Sequence, residues 1–247
     1  MKKASIRMYQ AAEGWRDFTQ IVADTTGPLI DTISIVGTCG PTATWKYTPH
    51  NKTLSILGSG VMTDYNNTNN IPWYVYKDDI DTFVVAQGIT SIGQASCYQF
   101  QNLKYINIPN SVTSIGNNAF RNCTLLNNVT LSTNLVSLGN SAFRDCVSLE
   151  SIILPNSLTN LGIIVFSECS SLKTVSLPIN LTSIPEYTFY KCTSLENISI
   201  PNNVRSIDEY AFYHCDALRN ITIPNNTTSI GKSAFAYCKA LQSVALN

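Results

Sequence analysis

Leu195-Glu196-Asn197-Ile198-Ser199-Ile200-Pro201-Asn202-Asn203-Val204-Arg205-Ser206-Ile207-Asp208-Glu209-Tyr210-Ala211-Phe212-Tyr213-His214-Cys215-Asp216-Ala217 is the stretch on which the fold turns. Its periodicity changes along its length. Ile198-x-Ile200 alternates apolar and polar, as a strand with one buried face does. Pro201-Asn202-Asn203 is a turn, and Pro201 closes the strand because it brings no N–H to a ladder. Val204-x-x-Ile207 opens a second, shorter extended segment. Ala211-Phe212-x-x-Cys215 then takes the chain inward before Leu218 starts again. No part of the stretch has room for a long helix.

The same pattern recurs every 23 residues. Cys123, Cys146, Cys169, Cys192, Cys215 and Cys238 form one column, and Phe120, Phe143, Phe166, Phe189, Phe212 and Phe235 another. Units start at Ile80, Leu103, Leu126, Leu149, Leu172, Leu195 and Leu218, and a partial eighth at Leu241. A single unit holds too few apolar side chains to fold alone. Stacked, each column becomes a continuous core ladder, and each turn advances by one parallel strand, about 4.8 Å. Gly93, Gly116, Gly139, Gly162 and Gly231 follow the second extended segment, where glycine suits a tight bend. The pattern has departures. Cys97 and Phe100 exchange columns in the first unit, Ser132 replaces proline in the third, and Ile163 and Ile164 replace polar residues in the fourth. Pro185 and Asp208 stand where glycine is expected.

The unit Leu-x-x-Ile-x-Ile-Pro-x-x-Val-x-x-Ile-Gly-x-x-Ala-Phe-x-x-Cys resembles the BspA-type leucine-rich repeats of bacterial surface proteins. The segments Cys39-Gly-Pro-Thr-Ala-Thr-Trp45, Leu54–Met62, Tyr65 and Pro72-Trp73 resemble the stretch that often precedes those repeats. The resemblance implies a right-handed solenoid of the α/β type, mainly β, with parallel strands and short turns. It also implies a cell-surface or secreted setting and a role in adhesion or partner binding.

The organisation expected is an N-terminal helical segment (1–25), a β-rich cap (26–79) and the solenoid (80–247). Ile6, Tyr9, Trp15, Phe18, Ile21 and Val22 recur at helical spacing, which predicts an amphipathic helix over 4–22. Thr32–Val36, Thr42–Tyr47 and Thr53–Leu57 read as hairpin strands, with a turn at Pro49-His50-Asn51. Asp64–Asn70 reads as a polar, mobile loop. Leu241–Leu246 reads as one bare strand, with two expectations left open: a cut from a longer protein, or an open end through which copies of the chain associate.

Composition removes several function classes. The formal net charge is zero and charged residues make up 13%, so nothing in it attracts a phosphate backbone and no nucleic-acid partner is expected. No apolar run approaches the roughly 20 residues of a spanning helix, so no membrane insertion is expected. The basic start at Lys2-Lys3 lacks the apolar run of a signal peptide.

The cysteines look chemical and are read as structural. Adjacent rungs bring Cα atoms within disulfide range, but ladder side chains point the same way and do not close Cβ to about 3.8 Å. Free thiols filling a tight inner corner are the expectation, with disulfides the alternative. A spacing of 23 does not match zinc pairs, so neither metal nor cofactor is expected. His50 lies in a turn, and His214 sits beside a cysteine in a core column, so a Cys–His nucleophile and an enzyme are not expected. Asn-x-Ser/Thr triplets at Asn51, Asn128, Asn180, Asn197, Asn220 and Asn226 arise readily in so Asn- and Ser-rich a repeat.

What remains for function is outward-facing. Tyr105, Asn107, Asn197 and Asn220 belong to two flat polar columns flanking the buried residue of the first strand. These form either a solvated sheet or a platform for a protein or glycan. Tyr187 with Tyr210, and Tyr190 with Tyr213, occupy outward positions one turn apart in the last units, with Tyr237 and His214 close by. Tyrosine is enriched at interfaces, and the alternative is a stack that only steadies a corner. The expectation is a non-catalytic protein- or glycan-binding module, the rival being an assembly module joined through the last strand.

Overall fold

The computed structural model describes residues 20–23 and 33–246. Among these residues twenty strands follow one another. The first five are β1 (Gln20–Ala23), β2 (Ile33–Thr38), β3 (Ala43–Thr48), β4 (Thr53–Gly58) and β5 (Gly60–Val61). Then each turn of the coil contributes a pair: β6 (Thr82–Val85) and β7 (Ile89–Ile92), β8 (Tyr105–Asn107) and β9 (Ser114–Ile115), β10 (Asn128–Thr130) and β11 (Ser137–Leu138), β12 (Ser151–Ile153) and β13 (Asn160–Leu161). The series ends with β14 (Thr174–Ser176) and β15 (Ser183–Ile184), β16 (Asn197–Ile198) and β17 (Ser206–Ile207), β18 (Asn220–Ile223) and β19 (Ser229–Ile230), and β20 (Ser243–Leu246). Among the described residues the helical elements are three short 3-10 turns. The chain is a parallel-strand solenoid, mainly β, as its repeat predicts.

Most of the helix expected over 4–22 lies outside the described residues. Its last residues, Gln20, Ile21 and Val22, belong instead to β1, antiparallel to β2 with Ile21 opposite Ile35. A strand period fits this apolar pair as well as a helical one. The hairpin strands lie where they were read. β2, β3 and β4 run antiparallel, and the turn falls at Pro49–Asn51. β4 then pairs in parallel with β6, setting Leu54 opposite Phe83, so the antiparallel strands continue directly into the coil's first ladder. Trp45 and Trp73 meet edge-on at 5.7 Å beneath them, and the Trp73 indole N–H donates to the Ser96 carbonyl at 2.8 Å. The Asp64–Asn70 loop is tied to the first turn: the Asp64 carboxylate accepts from the Gln94 N–H at 2.6 Å.

Inside the coil, consecutive phenylalanines from Phe120 to Phe235 stack with centroids 5.2–5.9 Å apart. Offset stacking of this kind adds about 0.5–1.5 kcal/mol per pair beyond burial. Cys97 is too small to continue the stack, and Phe83 closes it by meeting Phe120 edge-on at 5.8 Å. The cysteines are free. Each thiol from Cys123 to Cys238 donates to a main-chain carbonyl of the preceding turn, as Cys146 does to Phe120 at 3.2 Å. The column therefore needs a residue that is small, apolar and still a donor.

The glycines after the second strand do a different job from the one expected. Their φ is not positive, so no bend requires them. A Cβ on Gly139 would come within 2.6 Å of the Asn117 nitrogen, so glycine is there because consecutive turns approach closely. Pro185 interrupts that ladder. Gly162 and Asp208 donate their N–H to Leu138 and Ile184, at 2.8 and 2.9 Å, whereas Pro185 has no N–H to give Leu161. The second ladder accordingly divides between β13 and β15, and the first divides between β10 and β12. On the third side of the coil the hydrogen bonds run on unbroken: Phe143 donates to Val165 and Phe166 to Thr188, both at 3.0 Å.

Candidate interaction surface

That third side is shaped by two columns of left-handed backbone. Ala95, Asn118, Ser141, Ile164, Tyr187, Tyr210 and Ser233 have φ of 54–64°, and so do their partners four residues on, among them Lys191, His214 and Tyr237. Every turn needs this conformation because it aims one N–H forward to the next turn, as Tyr187 does to Glu209 at 3.1 Å. The same geometry sets the intervening residues, including Tyr190 and Tyr213, on the outer rim of the corner.

Tyr187, Tyr190, Tyr210, Tyr213, His214 and Tyr237 form one contiguous aromatic surface. Tyr187 stacks on Tyr210 with centroids 4.9 Å apart, and Tyr190 on Tyr213 at 5.2 Å. Tyr210 meets Tyr213 edge-on at 5.3 Å, joining the two stacks. His214 lies flat on Tyr237 at 4.7 Å, and both touch Tyr213. The six residues are half-buried, except Tyr237, which is 61% exposed.

Partial desolvation, then the neighbouring Tyr210 and the Glu209 and Glu186 carboxylates, hold the Tyr187 phenol above its ordinary value. Desolvation and the phenols around it do the same for Tyr213. Both rings are therefore neutral at physiological pH. His214 Nδ1 lies 3.2 Å from Asp216 Oδ1, and the Lys239 ammonium donates to Asp216 Oδ2 at 2.8 Å. The bond from Lys239 first, and that from His214 after it, keep the Asp216 carboxyl below the usual range.

The polar-sheet residues do not converge with this corner. Tyr105 and Asn107 stand exposed on β8 in the first sheet. Asn197 and Asn220 stand on β16 and β18 in the other sheet, beside Thr174, Ser199 and Thr222 in a shallow depression. Sequence reasoning missed Lys191, whose Nζ lies 5.2 Å from the Tyr190 centroid. It also missed the corner's upstream half, where Arg121 lies over Tyr98 at 5.7 Å and Arg144 pairs with Glu168 at 3.5 Å. The signal was available, because these residues belong to the same 23-residue columns as the tyrosines.

The groups that could do chemistry are stored away. Burial raises the thiols of the cysteine column, and pushes Cys39 up to about 12 and half-buried Cys238 up to about 11. Among the described residues no cluster of His, Cys, Asp or Glu could hold a metal ion. No helix among them is long and apolar enough to cross a membrane.

Residues 90–192 and 164–247 match the model of the BspA type leucine rich repeat region, with six copies. The chain belongs to the BspA-type leucine-rich repeat family. Among solved structures it is similar to a Treponema pallidum leucine-rich repeat protein. The identity is 26%, over 83% of this chain and 91% of that one, with a TM-score of 0.61. It is also similar to a leucine-rich repeat protein from Eubacterium ventriosum, at 25% identity over 86% of this chain and 72% of that one, with a TM-score of 0.54. No curated protein matched. Proteins of this repeat type are generally interaction modules, and they are typically not enzymes.

Proposed function

We propose that the chain is a non-catalytic binding module of a surface or secreted protein, and that it engages a protein or glycan through the aromatic corner of its last turns. The observation that carries this reading is the joining of Tyr187, Tyr190, Tyr210, Tyr213, His214 and Tyr237 into one half-exposed surface. The half-exposed rings offer apolar faces and polar tips together to a partner, and tyrosine is enriched at the hot spots of interfaces. The test is an array of extracellular proteins and glycans probed with the native chain and with Tyr187→Ala/Tyr210→Ala/Tyr213→Ala. Ligands kept by the native chain and lost by the variant support the reading; identical profiles contradict it.

A second reading is favoured by β20, where Val244 and Leu246 are exposed on the last described strand. Self-association along that edge would make the chain an assembly module. Light scattering across a concentration series checks it, and a mass that stays at one chain contradicts it.

A further inference from the structure

The tyrosine corner carries charge along one side. Glu186 and Glu209 immediately precede Tyr187 and Tyr210, one turn apart in a single column. Among the described residues neither carboxylate takes part in an ion pair. The ring geometry beside them is specific too. Plates in contact lie about 3.5 Å apart, whereas the Tyr187 and Tyr210 centroids are 4.9 Å apart. The rings, also 23° off parallel, are therefore slipped and do not overlap fully, and both residues are half-exposed.

A slipped stack does not present coplanar ring faces along which a sugar chain could lie flat. It presents half-exposed, electron-rich rings next to unpaired carboxylates, and that combination attracts a cation. The chain already uses this chemistry on the same corner, in the contacts of Arg121 with Tyr98 and of Lys191 with Tyr190. Among cationic side chains, the arginine guanidinium is planar and weakly hydrated, stacks on aromatic faces and pairs with carboxylates two bonds at a time.

We infer that the Tyr187–Tyr210 side of the corner binds an arginine-bearing segment of a partner protein, its guanidinium groups lying along the tyrosine rims and pairing with Glu186 and Glu209. This names the partner of the surface proposed above and rests on that proposal.

The test titrates the full chain, at low ionic strength, into a fluorescein-labelled Gly-Ser peptide with spaced arginines. Parallel titrations use the same peptide with citrulline, which keeps the shape without the charge, and with lysine. The arginine peptide is expected to bind about tenfold more tightly than the citrulline peptide, with lysine between. Glu186→Gln/Glu209→Gln should weaken arginine binding several-fold, and Tyr187→Leu/Tyr210→Leu should abolish it. Both variants are first checked for the native circular dichroism spectrum and unfolding midpoint. Equal binding of the arginine and citrulline peptides overturns the inference, and so does arginine binding untouched by the glutamine substitutions. A glycan or neutral protein ligand that is lost in the tyrosine-to-alanine variant, with no preference for arginine over citrulline, also overturns it while leaving the corner as the binding face. If no ligand distinguishes that variant from the native chain, both readings fall.

Discussion

Tyr190 and Tyr213, one turn apart, lie with their rings 5.2 Å apart and within 7° of parallel on the outside of the coil. The relationship mirrors the phenylalanine stack inside, where Phe166 and Phe189 are 5.7 Å apart and also within 7° of parallel. One repeat geometry thus builds a buried stack and a half-exposed one from the same periodicity. The coupling between Tyr190 and Tyr213 should therefore be modest, about 0.5–1.5 kcal/mol. A double-mutant cycle of Tyr190→Ala and Tyr213→Ala, read by denaturant unfolding, measures it. A coupling well above that range would make the stack chiefly a stabilising device.

The cysteine column is expected to be inert while the protein is folded. Burial holds each of these thiols above its ordinary value, and half-buried Cys238, pushed up to about 11, is the most accessible of them. A thiol reagent at neutral pH should modify Cys238 slowly and the buried thiols only after unfolding. Peptide mapping after timed exposure checks the order. Rapid modification of Cys169 in the folded chain would contradict the packing.

Ile164 should be a weak point. It is β-branched and sits at a φ of 64°, where Asn118 stands two turns earlier with a φ of 55°. Left-handed backbone costs most L-residues about 1–2 kcal/mol, and asparagine less. Ile164→Asn is expected to raise stability by up to about 1 kcal/mol once the lost partial burial is counted, a shift that thermal unfolding resolves. A clear loss of stability would show that the isoleucine makes a packing contribution larger than its strain.

Asp216 supplies a pH signature. Its folded carboxyl lies below its ordinary value, held there first by Lys239 and then by His214. Stability from the group is therefore fully present above the ordinary carboxylate value and is lost as pH falls through the lowered one. Asp216→Asn should cost less than about 1 kcal/mol at neutral pH, because the pair is near the surface. The difference from the native chain should close in acid. Unfolding curves from neutral to strongly acidic pH check this, and a gap that widens in acid would contradict it.

The solenoid was legible because repetition overdetermines it: a column such as Phe120–Phe235 admits no other period, and the core follows from it. The left-handed columns were not legible, since Tyr210 and His214 occupy them where glycine would have announced the conformation. Pro185 was visible as a departure, but its consequence depends on knowing that this position donates to the turn before. Gln20–Val22 failed because so short an apolar run fits a strand as readily as a helix. At the site, tyrosines could be grouped by column arithmetic alone. Glu186, Glu209 and Lys191 were overlooked because exposed charges look alike in sequence until their neighbours are known.

Hydroxyl-radical footprinting of the chain, alone and with a ligand recovered from the extracellular protein and glycan array, tests the central claim most directly. It reads each tyrosine separately, including Tyr105 on the far sheet. The account predicts that bound ligand protects Tyr187, Tyr210, Tyr213 and Tyr237 while Tyr105 keeps its reactivity. Protection of Tyr105 with the corner tyrosines unchanged would contradict it and move the binding face to the polar sheet.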